Sequence, residues 1–452
     1  MAKTRRLPLL FVVAVVLVAT GVLTSLRTPS NPSTLPSGLT QSLEAESTAL
    51  YCTGLASTTG SANRITFYNT SSASRNLSLR IVSDTGKTYS SSIELAAHEA
   101  QSIQPGALDS GNNFGVAVQI GGGGVVGDET TGTNRAEVPC QAHGVQQWYA
   151  TGFDTVVGSS AHVSIYNPTG TSAVLNATLY SAAGFSAPQS FQGLSIPAHT
   201  EMQMDLGTQV VNTSNVGVGI NVLRGSLVIT GVEDSNGEVS FNQGATSTSN
   251  QAWFPNVTTT NHATAQIRVA NPNSTPAQVT INVALNSFTI APQTVTLSPF
   301  RTSLVTITPN PAIPADGNAS LTLRSNLPVI SSLATGQGAW IALSGPEPPG
   351  SSFLIRNFSG LGFAAATVTN TSASSVSFSI STLSDGVAKG LKTDVQKLSA
   401  NTTESLLSLI PAMATAQHQS YLVTSNRSSL VVGMTLPSTP KGVNVIPPLN
   451  GR

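Results

Sequence analysis

Leu95, Ile196, Leu297 and Leu398 each stand 101 residues from the next, and the same interval separates His98, His199, Phe300 and Asn401, and again Ile103, Met204, Val305 and Leu406. An interval kept at two turn-flanking apolar positions makes the chain four copies of one β-rich unit. Each copy spans about a hundred residues, near the size at which a domain can enclose a core of its own. A propeller blade would repeat at about half this period.

Further rungs follow the same order. Ile65-Thr66-Phe67-Tyr68-Asn69, Val163-Ser164-Ile165-Tyr166-Asn167, Ile267-Arg268-Val269-Ala270-Asn271 and Ala366-Thr367-Val368-Thr369-Asn370 alternate inward apolar with outward residues and stop at Asn. Period-two alternation ending at a residue that accepts turn geometry predicts a half-buried strand running into a turn. The four Asn residues are 98, 104 and 99 apart, so length changes fall in the loops. Leu77-Ser78-Leu79-Arg80-Ile81 and its counterparts predict a second strand. Later runs such as Leu227-Val228-Ile229 and Pro328-Val329-Ile330 predict a central one. Helix signals are nearly absent; Thr403 to Ala416 is the one stretch read as a short helix or 3₁₀ turn.

Roughly seven short strands per hundred residues fit an immunoglobulin-like or fibronectin-like β-sandwich. The expected fold is all-β: a tandem array of about four such sandwiches behind one N-terminal transmembrane helix. The expected boundaries are 1–27 for a basic start and anchor or signal segment, 28–46 for a Pro/Ser/Thr-rich spacer, then units at 47–143, 144–250, 251–348 and 349–452.

The N-terminus sets the expected compartment. Lys3, Arg5 and Arg6 precede the apolar segment Leu7 to Leu26, long enough to cross a bilayer core. The positive-inside rule then puts everything beyond about residue 28 outside the cytoplasm. Val18-Ala19-Thr20 is a poor cleavage site, so a retained anchor is favoured over a cleaved signal peptide. In an oxidising compartment Cys52 and Cys140, 88 residues apart and bracketing unit one, are most simply a disulfide. Neither a reactive thiol nor a metal pair is favoured, because no neighbouring base or CxxC spacing accompanies them.

Charged residues make up only 9% of the chain, 20 basic against 20 acidic, which leaves no field to draw nucleic acid or anionic lipid. Hydrophobic residues make up 40% and are patterned, which excludes a disordered chain. Motifs for catalysis fail in turn. His98 and His199 are replaced by Phe300 and Asn401 in the later copies, which marks a turn rather than a ligand. His143, His162, His262 and His418 lack metal-ligand spacing. No GxSxG elbow occurs, and Ser438-Thr439-Pro440-Lys441 has no partner motifs. Glu233-Asp234-Ser235-Asn236-Gly237-Glu238 offers oxygens suited to Ca²⁺, yet Asn-Gly is also the commonest tight hairpin turn, and the hairpin is favoured. Asp128-Glu129 is read as a loop at the corresponding place of unit one. Tyr51, Trp148-Tyr149, Trp253-Phe254 and Phe353 recur at the unit starts, which favours core or inter-domain packing over a carbohydrate-stacking platform. Gly121 to Gly124 lacks the Lys-Ser/Thr of a phosphate loop. Leu436-Pro437-Ser438-Thr439-Pro440 departs from the wall-sorting signal LPxTG at its last residue. N-x-Ser/Thr sequons begin at Asn69, Asn76, Asn176, Asn212, Asn256, Asn318 and Asn401.

The layout resembles an uncharacterised family of actinobacterial membrane-anchored or secreted proteins. The likeness is carried by the basic start and single apolar segment, by Cys52 in the first strand, and by Ile165-Tyr166-Asn167-Pro168, Val269-Ala270-Asn271-Pro272 and Asn326-Leu327-Pro328-Val329-Ile330. The resemblance implies an envelope location and no catalytic residues. Together these readings lead to the expectation of a non-enzymatic extracytoplasmic binding or spacer protein, without cofactor or metal, contacting a cell-wall polymer or another envelope protein. The alternatives are an accessory subunit of a membrane-bound wall or glycan assembly machine, and a carbohydrate-active enzyme with dispersed acids.

Overall fold

A computed structural model describes residues 48–56, 63–97, 99–108, 111, 113–130, 137–258, 264–285, 289–307, 318–337, 340–344, 349–355, 365–384, 387–390, 396–411, 420–436, 444–446 and 449–450. The N-terminal apolar segment, the spacer, His98, His262, His418 and Ser438 to Lys441 lie outside the described residues. Among the described residues no helix is long and apolar enough to cross a membrane.

The described chain is nearly all β, in antiparallel sheets that fall in pairs. The first pair uses β1 (Ala49–Ala56), β2 (Arg64–Asn69), β3 (Arg75–Ser83), β4 (Thr88–Leu95), β5 (Ala100–Ile103), β6 (Asn113–Ile120), β7 (Val125–Thr130) and β8 (Glu137–Pro139). One sheet runs β1-β6-β3-β4 and the other β5-β2-β7-β8. Leu79, Phe114 and Val116 of the first meet Ile65, Phe67 and Val125 of the second in one core. Cys52 and Cys140 form a disulfide within it.

The second pair repeats this order with β9 (Gln147–Phe153), β10 (Ser159–Tyr166), β11 (Ala173–Ser181), β12 (Gly184–Ser186), β13 (Leu194–Ile196), β14 (Glu201–Asp205), β15 (Val216–Arg224), β16 (Val228–Ser235) and β17 (Glu238–Asn242). Its sheets run β12-β11-β15-β9, with β13 on β11, and β14-β10-β16-β17. The Asn-Gly hairpin is as expected. Asn236 and Gly237 take φ of 55° and 84° while Ser235 pairs with Glu238 across a two-residue turn. Asp128 and Glu129, in contrast, are not in a loop: both are buried in β7, paired with β2.

In the third unit, β18 (Ser249–Thr258), β19 (Thr264–Ala270), β20 (Ala277–Ala284), β21 (Thr289–Leu297), β22 (Thr302–Thr306) and β24 (Trp340–Ser344) gather around β23 (Asn318–Gln337). That strand runs unbroken for 20 residues, pairing with β18 and β20 in its first half and with β19 and β24 in its second. The fourth unit comprises β25 (Ser352–Ile355), β26 (Ala365–Asn370), β27 (Val376–Ser384), β28 (Val387–Gly390), β29 (Gln396–Leu398), β30 (Thr403–Ser405), β31 (Ser420–Ser425), β32 (Leu430–Leu436), β33 (Asn444–Ile446) and β34 (Leu449–Asn450). Of the stretch read as helix or 3₁₀ turn, Thr403–Ser405 is strand and Leu406–Leu409 is helical, while residues 412–416 lie outside the described residues. The chain returns on itself, since the corresponding outer strands β8, β17, β24 and β33 touch in a cycle, with β33 against β8.

The two sequence rungs prove to be one device. Asn69, Asn167, Asn271 and Asn370 have no exposed surface. Asn167 Nδ2 donates to the carbonyls of Thr171, Ile196 and Pro197 at 2.8, 3.0 and 3.0 Å, and its Oδ1 accepts from the amide and hydroxyl of Thr169. Asn69 does the same with Ala73, Leu95, Ala96 and Ser71, Asn271 with Thr275, Leu297, Ser298 and Asn273, and Asn370 with Ser374, Leu398, Ser399 and Ser372. Leu95, Ile196, Leu297 and Leu398 thus each supply a carbonyl to the preceding Asn, across loops of unequal length: 26, 29, 26 and 28 residues separate the partners. Three residues on, His199, Phe300 and Asn401 take φ of 52°, 57° and 53° in the tight turn that follows. Asn69, sealed in this network, is not an available glycan acceptor in the folded chain, whatever its sequon.

Candidate functional site

The rung strands were expected to face solvent on one side; in units two, three and four both faces are buried instead. Ser164 and Tyr166 in β10, Arg268 and Ala270 in β19, and Thr367 and Thr369 in β26 are all buried on the supposed outer face. The reason is that β10 and β19 press against the preceding unit, and β26 lies against β18.

At the first junction Tyr166 packs with Val82 and Val228, with Tyr51 and Ala117 against them. A Cβ on Gly115 would sit 2.4 Å from the Tyr166 ring, so the absence of a side chain there admits the ring. Below it runs a chain of polar groups. Glu129 accepts from the Thr53 amide, the Thr53 and Ser164 hydroxyls lie 2.9 Å apart, and Ser164 donates to Glu201 Oε1 at 2.8 Å. Burial pushes the Glu201 carboxyl up to about 8, partly opposed by the Ser164 bond and reinforced by Asp84. Burial likewise holds Glu129 well above the ordinary carboxylate range, with smaller contributions from Asp128 and Glu201. Both acids are therefore neutral in moderately acidic water. Glu129 also lies against the disulfide, its carboxylate and the sulfurs of Cys52 and Cys140 all within 4.8 Å. Those sulfurs are bonded to each other, and in that state they are not thiolate ligands.

At the second junction the polar group is ionic. Arg268 reaches both carboxylate oxygens of Asp154 and the Gly152 carbonyl, while Asp154 Oδ1 also accepts from the Asn215 amide at 2.8 Å. Glu233 Oε2 accepts from the Asp154 amide, and burial together with the Asp154 charge drives its carboxyl well above the usual range despite Arg268.

Above the first junction lies a groove of about 700 Å³ on the outer face of the β1-β6-β3-β4 sheet. The strand register builds its floor: Tyr51 pairs with Ala117, which pairs with Arg80, which pairs with Ser90, and beside that row Gln119 pairs with Ser78 and Ser78 with Ser92. Arg80, Ser90, Ser92 and Gln119 are exposed. Pro168 and His199, from the turns of unit two, form one wall. His199 Nδ1 is buried without a hydrogen-bond partner, and so is the hydroxyl of Tyr166. No Asp or Glu lines the groove.

The second junction carries the equivalent residues differently. Tyr180, Ala270, Ile330 and Tyr149 stand where Val82, Tyr166, Val228 and Tyr51 stand in the first, so the large aromatic side chain changes sides. Phe300, the counterpart of His199, packs into this cluster and lays its ring against Phe185 at 4.9 Å. Arg301 Nη1 then binds the Ala182 carbonyl at 2.7 Å. An aromatic residue thus packs the second junction at the place where the first has a histidine at the wall of an open polar groove.

Of the residues weighed from the sequence, the structure brings Tyr51 and His199 together at this groove. His143 is exposed. His162 lies in β10, where burial lowers it to about 4 against the opposing influence of Asp205 and Asp234. Trp148 is core, its Nε1 donating to the Gln243 carbonyl. The Gly121 to Gly124 turn receives Arg75 Nε on the Gly123 carbonyl at 2.7 Å. Sequence reading missed Arg80, Glu201 and the Arg268–Asp154 pair, and set Glu129 in a loop rather than in a buried strand. The Arg80 side chain sits in an ordinary alternating strand, and only the register with Tyr51 and Gln119 gives it a context.

Residues 124–245, from the turn before β7 through β17, match DUF5719, a family of unknown function. The match sets this stretch with an uncharacterised family. No curated protein matches the chain. Among solved structures, a Thermotoga maritima protein, 1070, is 17% identical over 21% of this chain and 89% of its own, with a TM-score of 0.20. The Amycolatopsis orientalis exo-chitosanase CsxA is 12% identical over 48% of this chain and 27% of its own, with a TM-score of 0.14. At those scores neither likeness bears on function.

Proposed function

We propose that this is a non-enzymatic, extracytoplasmic binding protein of the bacterial cell envelope: four immunoglobulin-like sandwiches in tandem behind one N-terminal membrane-spanning segment, contacting a wall polymer or another envelope protein. The observation that carries the reading is the groove between units one and two, concave, hydroxyl-rich and open, at the place where the junction of units two and three is packed by Phe300. Domain junctions are common places for ligand sites. The reading favours binding over spacing because β33 against β8 folds the array back rather than extending it. It favours binding over glycoside hydrolysis because the neighbouring acids Glu129 and Glu201 are sealed beneath the junction rather than facing the groove.

The test is a pull-down with residues 47–452, oxidised at Cys52 and Cys140, against purified wall polymer and against detergent-solubilised envelope proteins. Retention on wall polymer supports the reading directly. Capture of one envelope protein alone turns it toward the accessory subunit, and retention by neither turns it toward the spacer.

A further inference from the structure

The groove's chemistry narrows what it takes. A hydroxyl and amide floor formed by Ser90, Ser92 and Gln119 suits the hydroxyls of a sugar chain, and the half-buried Tyr51 offers a ring on which a pyranose can stack. Arg80 stands in the middle of that floor, exposed and without an ion pair among the described residues. On the wall stands the His199 side chain, whose Nδ1 is turned away from solvent. A guanidinium over a hydroxyl-rich floor, with no carboxylate to repel an anion, selects a ligand that carries both hydroxyls and negative charge. We infer that the groove between units one and two binds an acidic glycan segment, with Arg80 receiving its anionic group and Tyr51 its ring face. The inference rests on the binding function proposed above and adds the site and the ligand class.

A sugar carboxylate and a backbone phosphodiester would both satisfy Arg80. Three probes separate them: an oligogalacturonate, an oligomer of glycerol phosphate, and an uncharged cello-oligosaccharide of matching length. Each is titrated calorimetrically into the oxidised 47–452 chain, its Arg80→Gln variant, its His199→Phe variant and an Arg324→Gln control at an exposed arginine of unit three. The expected result is that one acidic oligomer binds and the neutral one binds at least tenfold more weakly. Arg80→Gln should weaken the acidic oligomer by about tenfold to a hundredfold, the range for a lost charge-assisted bond, and Arg324→Gln should leave it unchanged. His199→Phe copies the residue that packs the second junction and should block binding while leaving thermal unfolding in place. Equal binding of the neutral oligomer, indifference to Arg80→Gln, or no binding of either acidic oligomer overturns the inference. If wall polymer is still retained in the pull-down by Arg80→Gln as well as by the parent chain, the groove is wrong and the binding function survives. If the parent chain retains no polymer or envelope protein and binds no oligomer, both fall.

Discussion

Arg268 in unit three holds Asp154 in unit two by two parallel bonds, Nη1 to Oδ1 at 2.8 Å and Nη2 to Oδ2 at 3.0 Å, with both side chains nearly free of solvent. A buried ion pair of this kind costs desolvation on both sides, so its worth shows when one partner is removed.

Arg268→Met should destabilise the folded chain by roughly 3–5 kcal/mol, because Asp154 is left charged and buried. The double variant Arg268→Met/Asp154→Leu should recover much of that loss. Urea denaturation of the three proteins measures it. A single variant no less stable than the parent would show that the pair holds nothing together.

Asn167→Ala removes the donor for three carbonyls and the acceptor for Thr169 at once. Since each buried polar group left without a partner costs about 1–3 kcal/mol, the change should lower the stability of unit two severely, and Asn167→Asp should not rescue it because a carboxylate cannot donate. Amide exchange resolved by peptide would locate the loss around residues 167–200.

The three raised acids set a pH dependence. Glu129, Glu201 and Glu233 bind their protons more tightly in the folded chain than in the unfolded one, so their contribution is complete below about pH 4 and is lost as pH rises toward the folded value, about 8 for Glu201. Stability should therefore fall between pH 5 and 8, by up to about 1.4 kcal/mol per pH unit for each proton released on unfolding. His162, lowered to about 4, acts in the opposite direction and removes stability as pH drops below about 6.5. Thermal midpoints taken across this range for the parent chain and Glu201→Gln should show a shallower alkaline decline in the variant.

Gly115→Val drives a side chain into the Tyr166 ring. The expected result is a first junction that no longer closes, seen as faster proteolysis between units one and two while unit three keeps its protection. Val82→Ala, which only empties space beside the same ring, should cost about 1–3 kcal/mol without new cleavage.

Reduction of the Cys52–Cys140 disulfide releases a loop of 88 residues and should cost on the order of 4 kcal/mol in the chain-entropy model. Calorimetry with and without reductant should show the loss in unit one alone.

Much of the fold was legible because alternation and turn chemistry act locally. Ile65 to Asn69 reads as a strand, and Asn236-Gly237 as a hairpin, from their own residues. The junctions were not legible for an equally physical reason: Ser164 and Thr369, small and hydroxylated, are what a strand shows to water and also what it shows to a neighbour that supplies a hydrogen bond, here Thr53 and Ser320. Arg268 read as solvent-facing because its partner Asp154 lies 114 residues away. Glu129 read as loop because an acid in a strand core is rare unless burial keeps it protonated. At the groove, Tyr51 was visible as a repeated aromatic and His199 as a repeated position. What set them apart from Tyr149 and Phe300 was which junction each one joined.

The unbroken strand β23 has a bearing on how unit three comes apart. In the units beside it a turn separates the two strands that serve the two sheets, and such a turn lets one sheet fray before the other. Here the same peptide backbone is hydrogen-bonded into both sheets, so pulling either one loads the other. Unit three should rupture in a single mechanical event, without the stepwise lengthening that its neighbours allow.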